Sequence, residues 1–93
     1  MPIVSKLSEK KLTAIIEPSG GGFVISCPEL DLATQGKTED EALNDLIEMV
    51  IDYAQQYSEK MKEFSRSPNR SSHLPYIKII NKSTPDQVRN LFF

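Results

Sequence analysis

The stretch Gly20–Leu43, GGGFVISCPELDLATQGKTEDEAL, leaves the chain around it little freedom. It sets a glycine turn, a strand, a proline bend, a short polar strand and a capped helix start one after another. Gly20, Gly21 and Gly22, following Pro18-Ser19, predict a hairpin connection, because glycine alone takes positive φ without steric cost. A phosphate-binding loop would need Lys-Ser/Thr and then a helix, whereas Phe23-Val24-Ile25 reads as a strand. The strand before the turn is expected over Leu12–Glu17. Leu12, Ala14 and Ile16 lie on one face of it, and Thr13, Ile15 and Glu17 on the other. The strand after the turn runs from Phe23 to Cys27 and stops at Pro28, which has no N–H for a ladder. Glu29-Leu30-Asp31 turns the chain, Leu32–Gln35 forms a third strand, and Gly36 releases it. Three strands joined this tightly make an antiparallel meander.

Thr38 opens a helix. In Thr38-Glu39-Asp40-Glu41 the threonine hydroxyl can accept from the Glu41 N–H while the Glu41 carboxylate returns to the Thr38 N–H. The three acids also complement the positive end of the helix dipole. Apolar residues then recur at Ala42, Leu43, Leu46, Ile47, Val50, Tyr53, Ala54, Tyr57, Met61 and Phe64, a single stripe at helical spacing. Carried to Phe64, the helix would be about 26 residues and roughly 39 Å long. A six-residue strand reaches only about 20 Å. The helix therefore overshoots its sheet, and Tyr57, Met61 and Phe64 need cover from the C-terminal part of the chain or from a second subunit.

Ser65–Ser72, SRSPNRSS, has the composition of a linker, with Arg66 and Arg70 solvated in it. After Pro75, Tyr76-Ile77-Lys78-Ile79-Ile80 reads as a fourth strand. Thr84 and Pro85 then supply a capping hydroxyl and a first helical residue for a short terminal helix. Its Leu91, Phe92 and Phe93 should be hidden by a docked tail or by an interface. The expected class is α+β: a three-stranded meander, one long helix, a fourth strand and a short C-terminal helix (βββαβα), a partial ribonuclease-H-like layout. One domain spans residues 1–93, with a core at 12–64, a linker at 65–75 and the C-terminal strand and helix at 76–93. Met1–Lys11 reads as a polar arm.

No run of about 18 apolar residues occurs, which excludes a membrane-spanning helix. Met1–Lys11 has no apolar centre between its lysines, which argues against a secretory signal. The single cysteine, Cys27, cannot form an internal disulfide and fits a reducing, cytoplasmic setting. It reads as a small buried hydrophobe rather than a reactive thiol. The net charge of −2 hides an asymmetry, since residues 60–93 carry seven Lys/Arg against Glu63 and Asp86 while the acids concentrate before them. An acidic body suits a basic protein partner better than a nucleic acid.

His73 is the only histidine; a nucleophile–base pair would have to join it to Cys27, which nothing local supports, and a lone His with a lone Cys falls short of a zinc site. Two-metal chemistry would need converging carboxylates. Glu17 and Asp31 are the nearest candidates, with Glu29, Glu39 and Asp40 as spectators. The bland assignments, a solvated strand end and a charge-capped helix, account for all of them, and neither a catalytic residue nor a cofactor is expected.

Pro28-Glu29-Leu30, Thr34-Gln35-Gly36-Lys37-Thr38 and Glu41-Ala42-Leu43 together resemble the signature of the HicB-like antitoxins. The resemblance spans about Leu12 to Tyr57. It implies a small, non-catalytic, cytoplasmic protein that assembles into dimers or larger homo-oligomers and occludes the active site of a HicA-like mRNA-cleaving toxin. Gly20–Phe23, Pro28, Glu29, Leu30, Gln35, Gly36, Thr38, Glu41 and Ala42 carry the motif as fold determinants. Candidate partner or oligomer contacts are Asp31, Tyr57, Met61, Phe64, Tyr76, Ile77, Ile79, Leu91, Phe92 and Phe93. Many relatives have Pro-Gly-Cys or Pro-Gly-Val after the bend, where this chain has Asp31-Leu32-Ala33. Longer relatives append a DNA-binding module. One strand and one short helix after residue 75 fall short of a ribbon-helix-helix unit, so operator binding is doubtful. An orphan oligomeric binding module and a DNA-binding autorepressor are the alternative functions.

Overall fold

A computed structural model describes residues 12–92. The polar arm expected at Met1–Lys11, and Phe93, lie outside the described residues. Strands β1 (Ile15–Ser19), β2 (Gly22–Cys27) and β3 (Leu32–Gly36) form an antiparallel sheet in the order β1-β2-β3. They are followed by α1 (Glu39–Glu59), α2 (Met61–Phe64), a 3-10 turn at Ser71–His73, α3 (Leu74–Asn81) and α4 (Pro85–Asn90). The α+β class, the meander and the long helix stand as the sequence implies.

The β1–β2 loop is shorter than expected. Pro18 and Ser19 belong to β1, opposite Phe23 and Gly22, so that Gly20 and Gly21 alone turn the chain. Their φ angles of 52° and 85° are those of a two-residue type I′ turn. Gly22 and Gly36 have a different reason to be glycine. A Cβ on Gly22 would lie 2.4 Å from the Gly36 carbonyl oxygen, and one on Gly36 would lie 2.7 Å from the Ala42 nitrogen. Gly36 thus brings the end of β3 against the first turn of α1, and the Thr34 hydroxyl donates to the Ala42 carbonyl at 2.7 Å in the same corner.

Helix α1 lies across β2 and β3 and leaves β1 largely uncovered. Its stripe of Ala42, Leu43, Leu46, Ile47, Val50, Ala54 and Tyr57 is buried against Ile25, Cys27 and Leu30. Each large apolar side chain enclosed there contributes on the order of 1.5–3 kcal/mol. The stripe does not continue as one straight helix to Phe64. Lys60, at φ −116° and ψ 36°, breaks it after Glu59. The chain bends there, which lets Phe64 fold back onto Tyr53 and Tyr57, with ring centroids 6.4 and 5.4 Å away.

The expected fourth strand is instead helix α3. Pro75 sits in its first turn, where a missing N–H costs nothing, and Ile77 and Ile80, three apart, are the buried pair. A five-residue run with four apolar positions fits either a strand or a buried helix by pattern alone. Packing on α1 decides for the helix. Beyond it, Thr84 and Gln87 form a complete capping box at α4. Val88 and Phe92 enter the same core as Leu12, and the Leu12 N–H donates to the Leu91 carbonyl at 3.1 Å, joining the two ends of the described chain.

Candidate functional site

Thr38, Glu41 and Glu29 of the sequence motif make hydrogen bonds that hold the local backbone. Thr38 accepts from the Glu41 N–H at 3.1 Å, as expected. The returning Glu41 carboxylate reaches one residue further back and takes the Lys37 N–H at 2.9 Å, in place of the expected Thr38 N–H. Glu29 pins the start of β1: its carboxylate accepts the Thr13 N–H at 2.9 Å and the Thr13 hydroxyl at 2.6 Å. Burial raises the Glu29 pKa, but these hydrogen bonds outweigh it and leave the carboxyl below its usual range. Burial also pushes the Cys27 thiol up to about 11, helped by the neighbouring Glu29 charge. That thiol is enclosed and protonated, as a structural cysteine should be.

Glu17 and Asp31 do not converge. Glu17 pairs with Val24 near the glycine turn, whereas Asp31, at φ 57°, lies in the turn beyond Cys27 at the other end of the sheet. Among the described residues, no three His, Cys, Asp or Glu side chains gather as a metal would require.

His73 is not the loop residue its sequence context suggests. It is 6% exposed, and its Nδ1 shares a hydrogen bond with the Tyr53 hydroxyl at 2.6 Å. Tyr53, Tyr57, Phe64 and His73 form one aromatic cluster, with the Arg70 guanidinium 4.3 Å above the Phe64 ring. The Tyr57 hydroxyl donates to the Arg70 carbonyl at 2.8 Å, so the expected linker is fastened to α1 at its centre. Burial lowers the His73 pKa, with Arg70 adding to the effect and Asp31 opposing it. A hollow of about 190 Å³ borders the imidazole, lined also by Asp31, Tyr53, Asn69 and Arg70. Serine, threonine and cysteine are missing from its described lining, and no buried side-chain nitrogen or oxygen among the described residues lacks a partner.

The candidate partner contacts divide by burial. Tyr57 and Ile77 are enclosed within the chain and Phe92 nearly so. Met61, Phe64, Tyr76 and Leu91 are half-buried against the same core, and Ile79 is half-buried while Asp31 is exposed. The chain's own C-terminal part thus supplies much of the cover that the end of α1 requires.

A broad cleft of about 610 Å³ opens where α1 meets β3. Asp45, Glu48, Met49, Asp52, Tyr53 and Gln56 line one wall; Leu32, Thr34 and Gln35 line the other. The wall residues of α1 recur at helical spacing, so this flank was present in the sequence as a second stripe beside the apolar one. Helix α1 carries seven acids and no lysine or arginine. Met49, 37% exposed, stands among the acids as an apolar contact. Such a surface favours a basic partner with an apolar anchor point, because desolvated apolar centres ringed by charge carry much of the energy of protein interfaces.

The comparisons with known proteins place this fold among the antitoxins of toxin–antitoxin systems. A family model described as PHD-like, an antitoxin of toxin–antitoxin, RelE/RelB systems, matches residues 4–92. The chain belongs to that antitoxin family. It is also similar to a crystal structure from Syntrophomonas wolfei subsp. wolfei, described as an antitoxin part of a proposed toxin/antitoxin system. The two share 30% identity with a TM-score of 0.83, over 99% of this chain and 67% of that one. No curated protein matches. No helix among the described residues is long and apolar enough to cross a membrane.

Proposed function

We propose that this antitoxin is HicB-like in its action: it binds a small basic HicA-like ribonuclease in the cytoplasm and blocks the toxin's active site by occlusion, without chemistry of its own. The observation that carries this reading is the α1 flank, where Asp45, Glu48 and Asp52 border an open cleft on a helix with no basic residue. An mRNA-cleaving enzyme must attract phosphates, so its active-site surface is positive, and an acidic surface competes for it. The protein acts as a homo-oligomer, in keeping with the limited burial that a chain of this length achieves alone.

A RelE-type toxin is the second reading, favoured by the family's description. Purified protein is titrated separately against a HicA-like and a RelE-type toxin encoded beside antitoxins of each kind, with RNA cleavage as the readout. The proposal expects stoichiometric loss of HicA-like cleavage. Inhibition of the RelE-type enzyme alone favours the second reading, and inhibition of neither removes both.

A further inference from the structure

Among the described residues, two of the three most exposed large hydrophobic side chains, Ile15 at 44% and Ile16 at 38%, are neighbours on β1. Every residue of that strand is exposed, and among the described residues nothing pairs with its outer edge. Because strand residues alternate, Ile16 faces the helix side with its partner Ile25, while Ile15 faces the open side with Ser26. Among the described residues, one strand therefore leaves an isoleucine uncovered on each face of the sheet, beside an unpaired edge.

The backbone of that edge is selective. The two-residue turn makes Ser19 and Gly22 the first hydrogen-bonded pair, so Glu17 and Ile15 also direct their backbone groups toward β2. Thr13 fits this alternation, since its N–H points inward to the Glu29 carboxylate. The outward groups belong to Leu12, Ala14, Ile16 and Pro18. The Leu12 N–H is already given to the Leu91 carbonyl, and Pro18 has none. The outward donors left are Ala14 and Ile16, placed symmetrically about Ile15.

We infer that β1 is a self-pairing edge, which a second copy of this chain meets antiparallel across a two-fold axis at Ile15. This assigns the contact behind the homo-oligomer proposed above, and rests on that reading. In this register Ala14 of each copy faces Ile16 of the other, and the two pairs exchange four backbone hydrogen bonds. Ile15 meets Ile15 on the open face, and Ile16 is covered by the partner's Ala14 on the helix side. Centring on Ile16 would also give four bonds, but it sets Pro18 opposite Ala14 and leaves each of those outer pairs one bond of two, whereas at Ile15 every bonded pair is complete. Centring on Ala14 would demand the Leu12 N–H. The strand carries one charge, Glu17, and this register sets it opposite Thr13 rather than its own copy. The acidic α1, by contrast, would repel a second copy of itself. The result is a continuous six-stranded sheet with both α1 helices on one side and their clefts free for toxin.

The test uses the full chain with its enclosed Cys27 left in place. Facing residues of a non-hydrogen-bonded pair have Cα atoms about 4.5 Å apart, within disulfide reach. Glu17 and its copy would be four residues out of register, roughly 13 Å apart. Under mild oxidation Ile15→Cys should form a covalent dimer and Glu17→Cys should not. Ile15→Lys, which places like charges opposite one another, should weaken dimerisation by about tenfold or more in sedimentation equilibrium. Circular dichroism and thermal unfolding confirm that each variant folds. A dimer in which Ile15→Cys fails to cross-link overturns the inference and leaves the homo-oligomer reading intact. A monomeric wild type overturns both. Protection of Ile15→Cys from a thiol reagent only when toxin is added would make the edge a site for a toxin strand, and also overturns it.

Discussion

Gly36 shows how much one missing Cβ decides. The position is glycine because the first turn of α1 presses on it, with the Ala42 nitrogen 2.7 Å from where a Cβ would stand. Gly36→Ala must push β3 and α1 apart and should cost about 1–3 kcal/mol, read as a lower urea midpoint with an unchanged slope. Gly20→Ala meets no atom within 4 Å, and its cost, about 1–2 kcal/mol, comes from φ alone. Gly20→Asn should therefore recover much of the Gly20 loss, while Gly36→Asn recovers nothing. His73 gives the molecule a pH response. Its folded pKa lies below its ordinary value of 6.5, owing to burial and then Arg70, against the opposing charge of Asp31. The unfolded chain thus binds the proton more readily, and stability is full above about pH 6.5 and lost as pH falls through the lower folded pKa. Glu29, also lowered, acts only further down, below its ordinary 4.5. The unfolding midpoint should drop between pH 7.5 and 5.5, and His73→Phe should flatten that drop. An equal slope in the variant would assign the response to another group.

At the level of elements, the meander and α1 were legible because their signals are local: positive-φ glycines, a proline at a strand end, a capping threonine and a stripe at helical spacing. The C-terminal half was not. Tyr76–Ile80 is apolar at nearly every position, so neither period stands out, and its helical state is set by contact with α1, from which residues 60–73 separate it in sequence. The break at Lys60 escaped for a related reason, since the apolar spacing runs on unaltered across it. A helix and a strand predict different costs here. In α3, Ile77 is enclosed and Ile79 half-buried. Ile77→Ala should lose about 2–5 kcal/mol and Ile79→Ala clearly less, in chemical denaturation. Equal losses would fit a strand with both on one face. The cluster of Tyr53, Tyr57, Phe64 and His73 was likewise hidden, because its members come from three separate segments and meet only after the chain bends.

Over the whole molecule, charge and shape divide the labour. Asp45, Glu48 and Asp52 of α1 face an open cleft, whereas seven of the eleven basic residues belong to the C-terminal residues 60–93. The charge asymmetry was visible in the sequence, and so was the spacing of Asp45, Glu48 and Asp52. What the sequence could not supply was the opposing wall from β3, which turns a solvated helix face into a cleft. The account stands on that cleft being the surface that meets the toxin. The direct measurement is cleavage of a defined RNA by the cognate toxin, titrated with wild-type protein and with the combined variant Asp45→Lys, Glu48→Lys, Asp52→Lys. All three side chains are exposed, so the variant should fold and keep its oligomeric state. Wild type should abolish cleavage near equimolar ratio, and the variant should need at least a hundredfold excess, about 2.7 kcal/mol of lost affinity. A folded variant that inhibits as well as wild type would place the toxin elsewhere on the molecule and contradict the account.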